Sequence, residues 1–423
     1  MKKISLTVIG LYLLLLHAFS QNAKRFQDTM VYQPKPLKLE EVNLVSSYYQ
    51  QEGKHSAVTG GKGDEHVMDL SNGIELKYVG WDMDHHKHSL SLELGIDHHT
   101  AASSAYVSKT GASSTQGTRV YPSINWNVEN DKGNIFGIGA YYSGEFNYHS
   151  TGLDLHATRK LSTNTELNAK VSGFFDQVKM IYPSELVPGT TLVTTPTGPS
   201  YYTTASGRRV SLNSYGNSGW EDDRIPSEAR NTITASISMA QIINTRLQAS
   251  ISADLVVQNG YLGLPFHRVY FTDGTAHIEN LPSKRTKIPV GLRVNYFAGD
   301  HFIIRSYYRY YQDDWGITSH TAEIELPVKL SPFFSISPFY RYYTQTGSKY
   351  FAPYAVHTAK ETYYSSNYSL SKLNSQFIGA GMHIAPPDGI MNTHLSSLEI
   401  RYGHYTQSTD LYSDVISVAF SFK

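Results

Sequence analysis

The chain contains no cysteine, and it has no long apolar run after its first twenty residues. Without cysteine it can form neither disulfides nor thiolate metal sites, and it offers no residue for lipoprotein acylation. Because no later apolar run approaches about 18 residues, helical membrane spans are excluded there. Charge of one sign is also missing: 36 basic residues balance 36 acidic ones, which argues against a nucleic-acid partner.

Tyrosine, in contrast, is abundant, with 32 residues, although only 40% of the chain is hydrophobic. Aromatic residues in such numbers are unusual in a soluble protein. They are typical of the aromatic belts that membrane proteins place at the lipid–water interface. The composition therefore favours a membrane protein that does not cross the bilayer with helices.

The N-terminus has the pattern of a secretory signal. Lys2 and Lys3 precede an apolar run, and the small residues Ala18 and Ser20 follow it. We expect residues 1–20 to be a signal peptide and residues 21–41 a periplasmic N-terminal segment. The alternative is an N-terminal membrane anchor, against which the short apolar run argues.

Strict alternation of apolar and polar residues runs through the rest of the chain. In "SLSLELGID", Leu90, Leu92, Leu94 and Ile96 alternate with polar or small residues, which is the pattern of a half-buried strand. The same period recurs up to the last segment, "DVISVAFSFK". Short connections such as "NDKG" alternate with long ones, near residues 51–66, 100–116, 182–227, 259–286 and 346–372.

These features predict an all-β fold, a transmembrane antiparallel β-barrel of about sixteen strands over residues 42–423. Short turns would face the periplasm, and long loops the cell exterior. A soluble β-sandwich and a β-solenoid are the alternatives. A sandwich of this length would need a break between two domains, and a solenoid would need a fixed repeat; the sequence shows neither.

Two histidine clusters stand about ten residues apart in "DMDHHKHSLSLELGIDHHTAASS". Ten residues of strand span about 33 Å, so the clusters cannot share a metal and mark the two ends of one strand. His86 and His88 lie two apart beside Asp82 and Asp84, and are candidate metal ligands. The alternative is a pair of solvated turn histidines, since no third ligand is assured.

Strand parity predicts which charges face the lumen. Because strands follow one another around a barrel, the first half of the chain would form an acidic wall and the second half a basic wall. The acidic wall comprises Glu75, Glu93, Asp97, Glu145, Asp154 and Asp176. The basic wall comprises Arg293, Arg305, Arg309, Arg341 and Arg401. Such walls would impose a transverse field on a solute, unless they pair with each other across a filled lumen.

Catalytic chemistry finds little support. The chain has no C-x-x-C-H haem site, phosphate loop or G-x-S-x-G elbow, so neither an enzyme nor a cofactor is predicted. Asp313 and Asp314 precede Trp315 at a hairpin, where adjacent carboxylates point apart; we interpret them as a loop anchor. The charged segment around Arg208, Arg209, Glu221, Asp222, Asp223 and Arg224 is either a plug in the lumen or an extracellular loop.

Several segments carry a family resemblance from about residue 40 to the C-terminus: "YYQQEGKHSAVTGGKGDEHVMDLS", "DHHTAASSAYVSKTGASST", "GLPFHRVYF", "LPSKRTKIPVGLRVNYF", "YYRYYQDDWGI" and "LEIRYGHYTQSTDL". On these the chain resembles an uncharacterised outer-membrane barrel family, domain of unknown function 3570, of Bacteroidota and some proteobacteria. The resemblance implies outer-membrane lipids as surroundings, and gene neighbours that include a small lipoprotein and periplasmic redox proteins.

Two functions are expected from these observations. The first is a pore or conduit in the outer membrane for a polar solute or an inserted partner, which the resemblance links to an extracytoplasmic redox system. The second is a plugged structural barrel that scaffolds lipoprotein or surface partners. The lumen charges and the large loops favour the first.

Overall fold

The computed structural model describes residues 33–100, 116–183, 186, 201–203, 209–211 and 226–423. Residues 35–423 form one compact unit. No helix among the described residues is long and apolar enough to cross a membrane. Among the described residues, single-turn 3-10 helices lie in connections at Ala57–Thr59, Tyr368–Leu370 and Ile390–Asn392.

Twenty-one strands follow one another in the part of the chain that the structure describes. The first half contains β1 (Lys35–Gly53), β2 (Glu65–Trp81), β3 (Lys87–Thr100), β4 (Gln116–Glu129), β5 (Ile135–Glu145), β6 (Tyr148–Lys160), β7 (Thr165–Lys179), β8 (Tyr201–Thr203), β9 (Arg209–Ser211), β10 (Ser227–Asn244) and β11 (Leu247–Gly260). The second half contains β12 (Arg268–Tyr270), β13 (Ala276–Ile278), β14 (Lys284–Ala298), β15 (Phe302–Asp313), β16 (Thr318–Glu325), β17 (Val328–Ser331), β18 (Phe334–Gln345), β19 (Leu373–Ile384), β20 (Leu395–Gln407) and β21 (Leu411–Phe422).

All strands except β8, β9, β12 and β13 belong to one antiparallel sheet, in which each strand pairs with its neighbours in sequence. β16 and β17 continue the same line and are interrupted at Leu326 and Pro327, because proline has no N–H for the ladder. β1 pairs with β21 from Val42↔Phe422 to Glu52↔Tyr412, which closes the sheet. The result is a closed barrel of 16 strands, and the predicted fold is confirmed.

The first strand begins at Lys35, earlier than the predicted barrel start at residue 42. The strand has lower regularity there, with register shifts against β2 between Lys35 and Lys38 and between Leu39 and Glu41. The bulges interrupt the alternation of apolar and polar residues at the start of β1. Because the sequence-based boundary relied on that alternation, it was placed at residue 42.

The connections divide between the two ends of the barrel as the sequence predicts. The turns after β2, β4, β6, β10, β14, β17 and β19 lie at one end, together with both termini of the sheet. The long connections after β1, β11 and β18 lie at the other end, as do the ends of β3 and β7. The two histidine clusters fall at opposite ends of β3, as expected.

Alternation along the strands separates two faces. Large apolar side chains are exposed on the outer face of the barrel, among them Leu94, Trp126, Phe136, Phe175 and Ile324. Their neighbours in sequence are polar and hydrogen-bond one another across strands on the inner face. A sheet that is apolar outside and polar inside suits a barrel surrounded by lipid with an aqueous lumen.

Candidate functional site

The predicted acidic residues lie on the inner face of β2–β7, where polar neighbours hold them. Asp97 accepts a hydrogen bond from the Tyr121 hydroxyl at 2.7 Å, and Glu145 lies 3.2 Å from His99 Nε2. Asp154 pairs with Lys170 Nζ at 3.2 Å. Glu75 accepts from the Asn43 amide and Glu93 from the Ser123 hydroxyl, both at 3.0 Å, while Asp176 is buried.

The predicted basic residues lie on the inner face of β14–β20 and are paired within that wall. Arg341 Nε donates to Glu323 at 2.6 Å. The Glu325 carboxylate forms salt bridges with Nη1 of Arg305 at 3.6 Å and Nη1 of Arg401 at 3.1 Å. Two further members contact the wall differently: Arg293 stands 5.5 Å over the Tyr307 ring, and Arg309 lines a recess of ≈ 310 Å³ beside Arg285.

The charges of each wall are thus balanced largely by neighbours on the same side of the barrel. Lys170 neutralises part of the acidic side, and Glu323 and Glu325 neutralise part of the basic side. Local pairs weaken a transverse field, because opposite charges a few ångströms apart cancel at a distance. The field across the lumen remains a prediction.

The inner charges stay accessible to water despite these pairs. The side chains of Arg305, Lys170 and Arg341 are 50%, 49% and 46% exposed. Charged groups keep their hydration when a lumen holds water, whereas a protein-filled lumen would bury them at a large desolvation cost. Among the described residues, these three charges therefore remain about half accessible to water.

Three connections pack together over the long-loop end of the barrel, and we call them the cap: residues 54–64, 261–283 and 346–372. Arg268 Nη1 donates to the carbonyl oxygen of Val58 at 2.9 Å, which joins the first connection to the second. These connections follow β1 and β11, which stand on opposite sides of the ring of sixteen. A sixteen-strand barrel is about 30 Å wide, so the cap crosses the mouth.

Close backbone approach explains the glycines of the first connection. Gly60 has a φ of +79°, and a Cβ there would lie 2.6 Å from the Tyr270 ring of the second connection. Gly61 has a φ of +81°, and its Cβ would lie 2.5 Å from the carbonyl oxygen of Ser366 in the third. Only glycine combines a left-handed backbone with such contact. The segment "TGGKG" is therefore shaped to meet both other connections.

Glu279 lies at the centre of the cap and is fully buried. Its carboxylate accepts hydrogen bonds from the Ser365 hydroxyl at 2.5 Å and from the Leu264 amide at 2.9 Å, and it lies 3.6 Å from His267 Nδ1. Burial raises the pKa of Glu279, but the hydrogen bonds and the charge of His267 outweigh it, so that the pKa falls below its usual value. Glu279 thus ties the second connection to the third as a carboxylate.

The hairpin acids hold the barrel rim beneath the cap. Asp313 accepts from Arg285 Nε at 3.0 Å and from the Ile317 amide at 2.9 Å. Trp315 is buried, donates its indole N–H to the carbonyl oxygen of Lys284 at 3.0 Å, and packs on Leu370 of the cap. The interpretation of this hairpin as a loop anchor is confirmed.

The candidate metal ligands His86 and His88 both contact the Asp82 carboxylate at the short-turn end of the barrel. Asp82 Oδ2 lies 3.2 Å from His86 Nδ1 and 3.1 Å from His88 Nε2, while Oδ1 accepts the backbone amides of Asp84 and His86. The hydrogen bond from His88 is the largest of the causes that lower the pKa of Asp82, to about 2. Imidazole and carboxylate are zinc-type donors, but these contacts equally stabilise a turn. His86 and His88 therefore stay candidate ligands, with no metal predicted.

The alternation of inward and outward residues along the strands did not predict the cap or the depth of the recesses in the lumen wall. The charged segment considered as a plug, from Arg208 to Arg224, lies outside the described residues apart from the short strand β9. The signal for the cap was present in "TGGKG" and in the segment "GLPFHRVYF", which have no period of two.

The chain matches the family described as "Protein of unknown function (DUF3570)" over residues 96–412. No curated protein sequence matches it. Among solved structures it is similar to a bacterial polysaccharide outer membrane secretin, with 10% identity, coverage of 90% of this chain and 98% of the other, and a TM-score of 0.43. It is also similar to OccD3 of Pseudomonas aeruginosa, with 8% identity, coverage of 93% and 95%, and a TM-score of 0.41.

Proposed function

This chain belongs to that family of unknown function, so its role must come from its own residues, and we propose that it is an outer-membrane pore for small polar solutes. The observation that carries the proposal is the water-accessible charge of the inner face, where Arg305, Lys170 and Arg341 are about half exposed. A polar lumen open to water is the physical requirement for passage of a hydrated solute.

The outer face supports a location in the outer membrane. Its strands expose leucine, isoleucine and phenylalanine, and tyrosines such as Tyr296, Tyr340 and Tyr402 stand among them. Closed barrels satisfy every backbone hydrogen bond in lipid, and they occupy the outer membrane of bacteria that have one. Short turns at one end and long connections at the other fit insertion from the periplasm.

The cap would restrict which solutes enter. It reaches from the β1 side of the ring to the β11 side, and hydrogen bonds such as that between Arg268 and Val58 hold it in place. A fixed cap lets small solutes pass beside it and excludes large ones. The pore we propose is therefore narrow and selective.

Conductance in planar bilayers tests the pore directly. The wild-type protein should give discrete single-channel steps. A variant with Arg305, Arg309 and Arg341 all replaced by Gln should still insert and should shift the selectivity toward cations, because it removes positive charge from the lumen. A correctly folded protein that conducts nothing would overturn the pore.

A scaffold for partner proteins is the second candidate. The cap exposes Tyr354, Val356 and Tyr363, and exposed aromatic and aliphatic side chains on a rigid support are suited to protein contacts. The link to lipoproteins or periplasmic redox proteins rests on the family resemblance alone. A barrel that is silent in bilayers but copurifies with a partner, and loses it on Tyr354→Ser with Val356→Ser, would favour this function.

A further inference from the structure

The inner face of β4–β7, β10 and β11 encloses a recess of ≈ 610 Å³. Its side chains include Tyr141, Asp154, Lys170, Phe174, Asp176 and Arg230. We propose that this recess binds a small neutral carbohydrate. The proposal rests on the proposed function, since the solute reaches the recess through the lumen, and it names the class of solute that the pore would select.

The floor of the recess is aromatic. Gly152 has no side chain, and a Cβ there would lie 2.7 Å from Phe174 Cδ1, so the Phe174 ring rests on the backbone of β6. Tyr141 meets Phe174 edge to face, with the ring centroids 6.0 Å apart. The face of an aromatic ring carries partial negative charge and attracts the weakly positive C–H groups of a sugar. An aromatic floor between polar walls is thus matched to a ring that is apolar on its faces and hydroxylated at its edges.

The cations around the floor already have partners inside the protein. Arg119 donates to the Ser143 and Tyr141 hydroxyls at 2.8 and 2.9 Å. Arg230 donates to the carbonyl oxygens of Tyr261 and Gly263 at 2.9 and 3.1 Å. Lys170 pairs with Asp154. These contacts occupy part of the donor capacity of each cation, so the cations are less available to an anionic solute than free side chains would be.

In contrast to the cations, the Asp176 carboxylate has an oxygen that accepts no hydrogen bond. Asp176 is 4% exposed, and its Oδ1 has no hydrogen-bond partner. A buried acceptor without a donor costs free energy, which a donor from a ligand would recover. A cationic donor is disfavoured, because the lining contains three cations, Arg119, Lys170 and Arg230, against two carboxylates, Asp154 and Asp176. A hydroxyl group supplies the donor without adding charge.

The remaining lining groups are neutral and suited to hydroxyl groups. The polar ones among them are Ser123, Asn125, Tyr148, Ser150, Thr232 and Gln258. Amides and hydroxyls both donate and accept, as sugar hydroxyls do. The volume lies within the range of small-molecule sites, and we infer a ligand of the size of a disaccharide.

Calorimetric titration of the purified full-length barrel in detergent tests the recess without a membrane. Maltose serves as the neutral probe, spermidine as the cation and citrate as the anion. We expect maltose to bind and the two ions to bind at least tenfold more weakly. Phe174→Leu, which keeps an apolar side chain but removes the ring, should weaken maltose binding about tenfold, and Asp176→Asn should weaken it as well.

Phe175→Leu is the matched control, because Phe175 is the next residue of β7 and lies on the outer face. It should bind maltose as the wild type does. Absence of maltose binding by folded wild-type protein, preferential binding of spermidine or citrate, or equal binding by the Phe174→Leu variant would each overturn the proposal. If the barrel binds maltose but does not conduct, the pore is refuted and the carbohydrate site stands. If the barrel conducts but does not bind maltose, the carbohydrate site is refuted and the pore stands.

Discussion

Arg401 reaches Glu325 across two intervening strands. The Nη1–Oε1 distance is 3.1 Å, although β18 and β19 lie between β16 and β20 in the sheet. Three strand spacings measure about 14 Å along a flat sheet, so two side chains can meet only across its concave side. The contact fixes both residues on the lumen side and makes Glu325, which also takes Arg305, a junction of the basic wall.

Replacing Glu325 with Gln tests that junction. The change leaves Arg305 and Arg401 without their shared partner, and it should lower the free energy of unfolding by about 1 kcal/mol, a value reduced for the partial exposure of both arginines. It should also shift the selectivity of the pore toward anions. Glu93→Gln is the control, since Glu93 accepts a hydrogen bond from the neutral Ser123 hydroxyl. Unfolding in urea measures the first effect, and equal stability of both variants would contradict it.

Arginine substitutions test which residues of the strands face the lipid. Leu92→Arg and Ile324→Arg should impair insertion, because arginine facing lipid near the bilayer midplane costs about 2–4 kcal/mol. Heat-modifiable gel migration reports the folded fraction. Glu93→Gln should fold normally. Glu323→Gln is not a suitable control, because Glu323 pairs with Arg341 at 2.6 Å. Normal folding of both arginine variants would show the register to be wrong.

The orientation of the barrel is tested with single cysteines, for which the cysteine-free chain is well suited. Val356→Cys lies on the cap and Met391→Cys on the turn after β19, and the native side chains are 52% and 91% exposed. A maleimide that cannot cross membranes should label Val356→Cys on intact cells and Met391→Cys only after the outer membrane is opened. The reverse pattern would invert the topology.

Acid should loosen the cap through Glu279. Because the pKa of Glu279 in the folded protein lies below its ordinary value of 4.5, its contribution to stability is complete above that value and is lost as the pH falls through the folded pKa. We expect acrylamide to quench Trp315 more strongly below pH 4.5 in a variant whose other tryptophans are phenylalanine. Adding Glu279→Gln should remove this pH dependence; an unchanged acid response would assign it to another carboxylate, such as Glu361, which pairs with His357.

The sequence was sufficient for the barrel and insufficient for what lies at its mouth. Alternation placed residues such as Leu92 and Glu93 on opposite faces, because a strand has a period of two wherever it lies in the sheet. The contact between Val58 and Arg268 has no comparable signal. It depends on two connections from opposite sides of the ring, and their meeting is decided by the width of the closed barrel.

The same limit applies to the recess. Parity predicts Asp154 and Asp176 on the inner face, but the depth of the surface around them comes from Gly152, where a missing side chain lets Phe174 lie against β6. The salt bridges of the basic wall were likewise only partly predictable from the sequence. The arginines were identified as inward, whereas the contact of Arg401 with Glu325, three strand positions away, could be named only from the curvature of the sheet.

The seam between β1 and β21 has a consequence for biogenesis. It joins Val42 to Phe422, so the two edges of the sheet come from nearly opposite ends of the chain. Contacts so distant in sequence form late, because the loop that they close is long. Until the last strand is delivered, β1 and β20 present unpaired edges that can recruit strands of other chains. A nascent chain stalled before residue 411 should therefore be hazardous to the cell, and periplasmic chaperones would have to shield it until the ring closes.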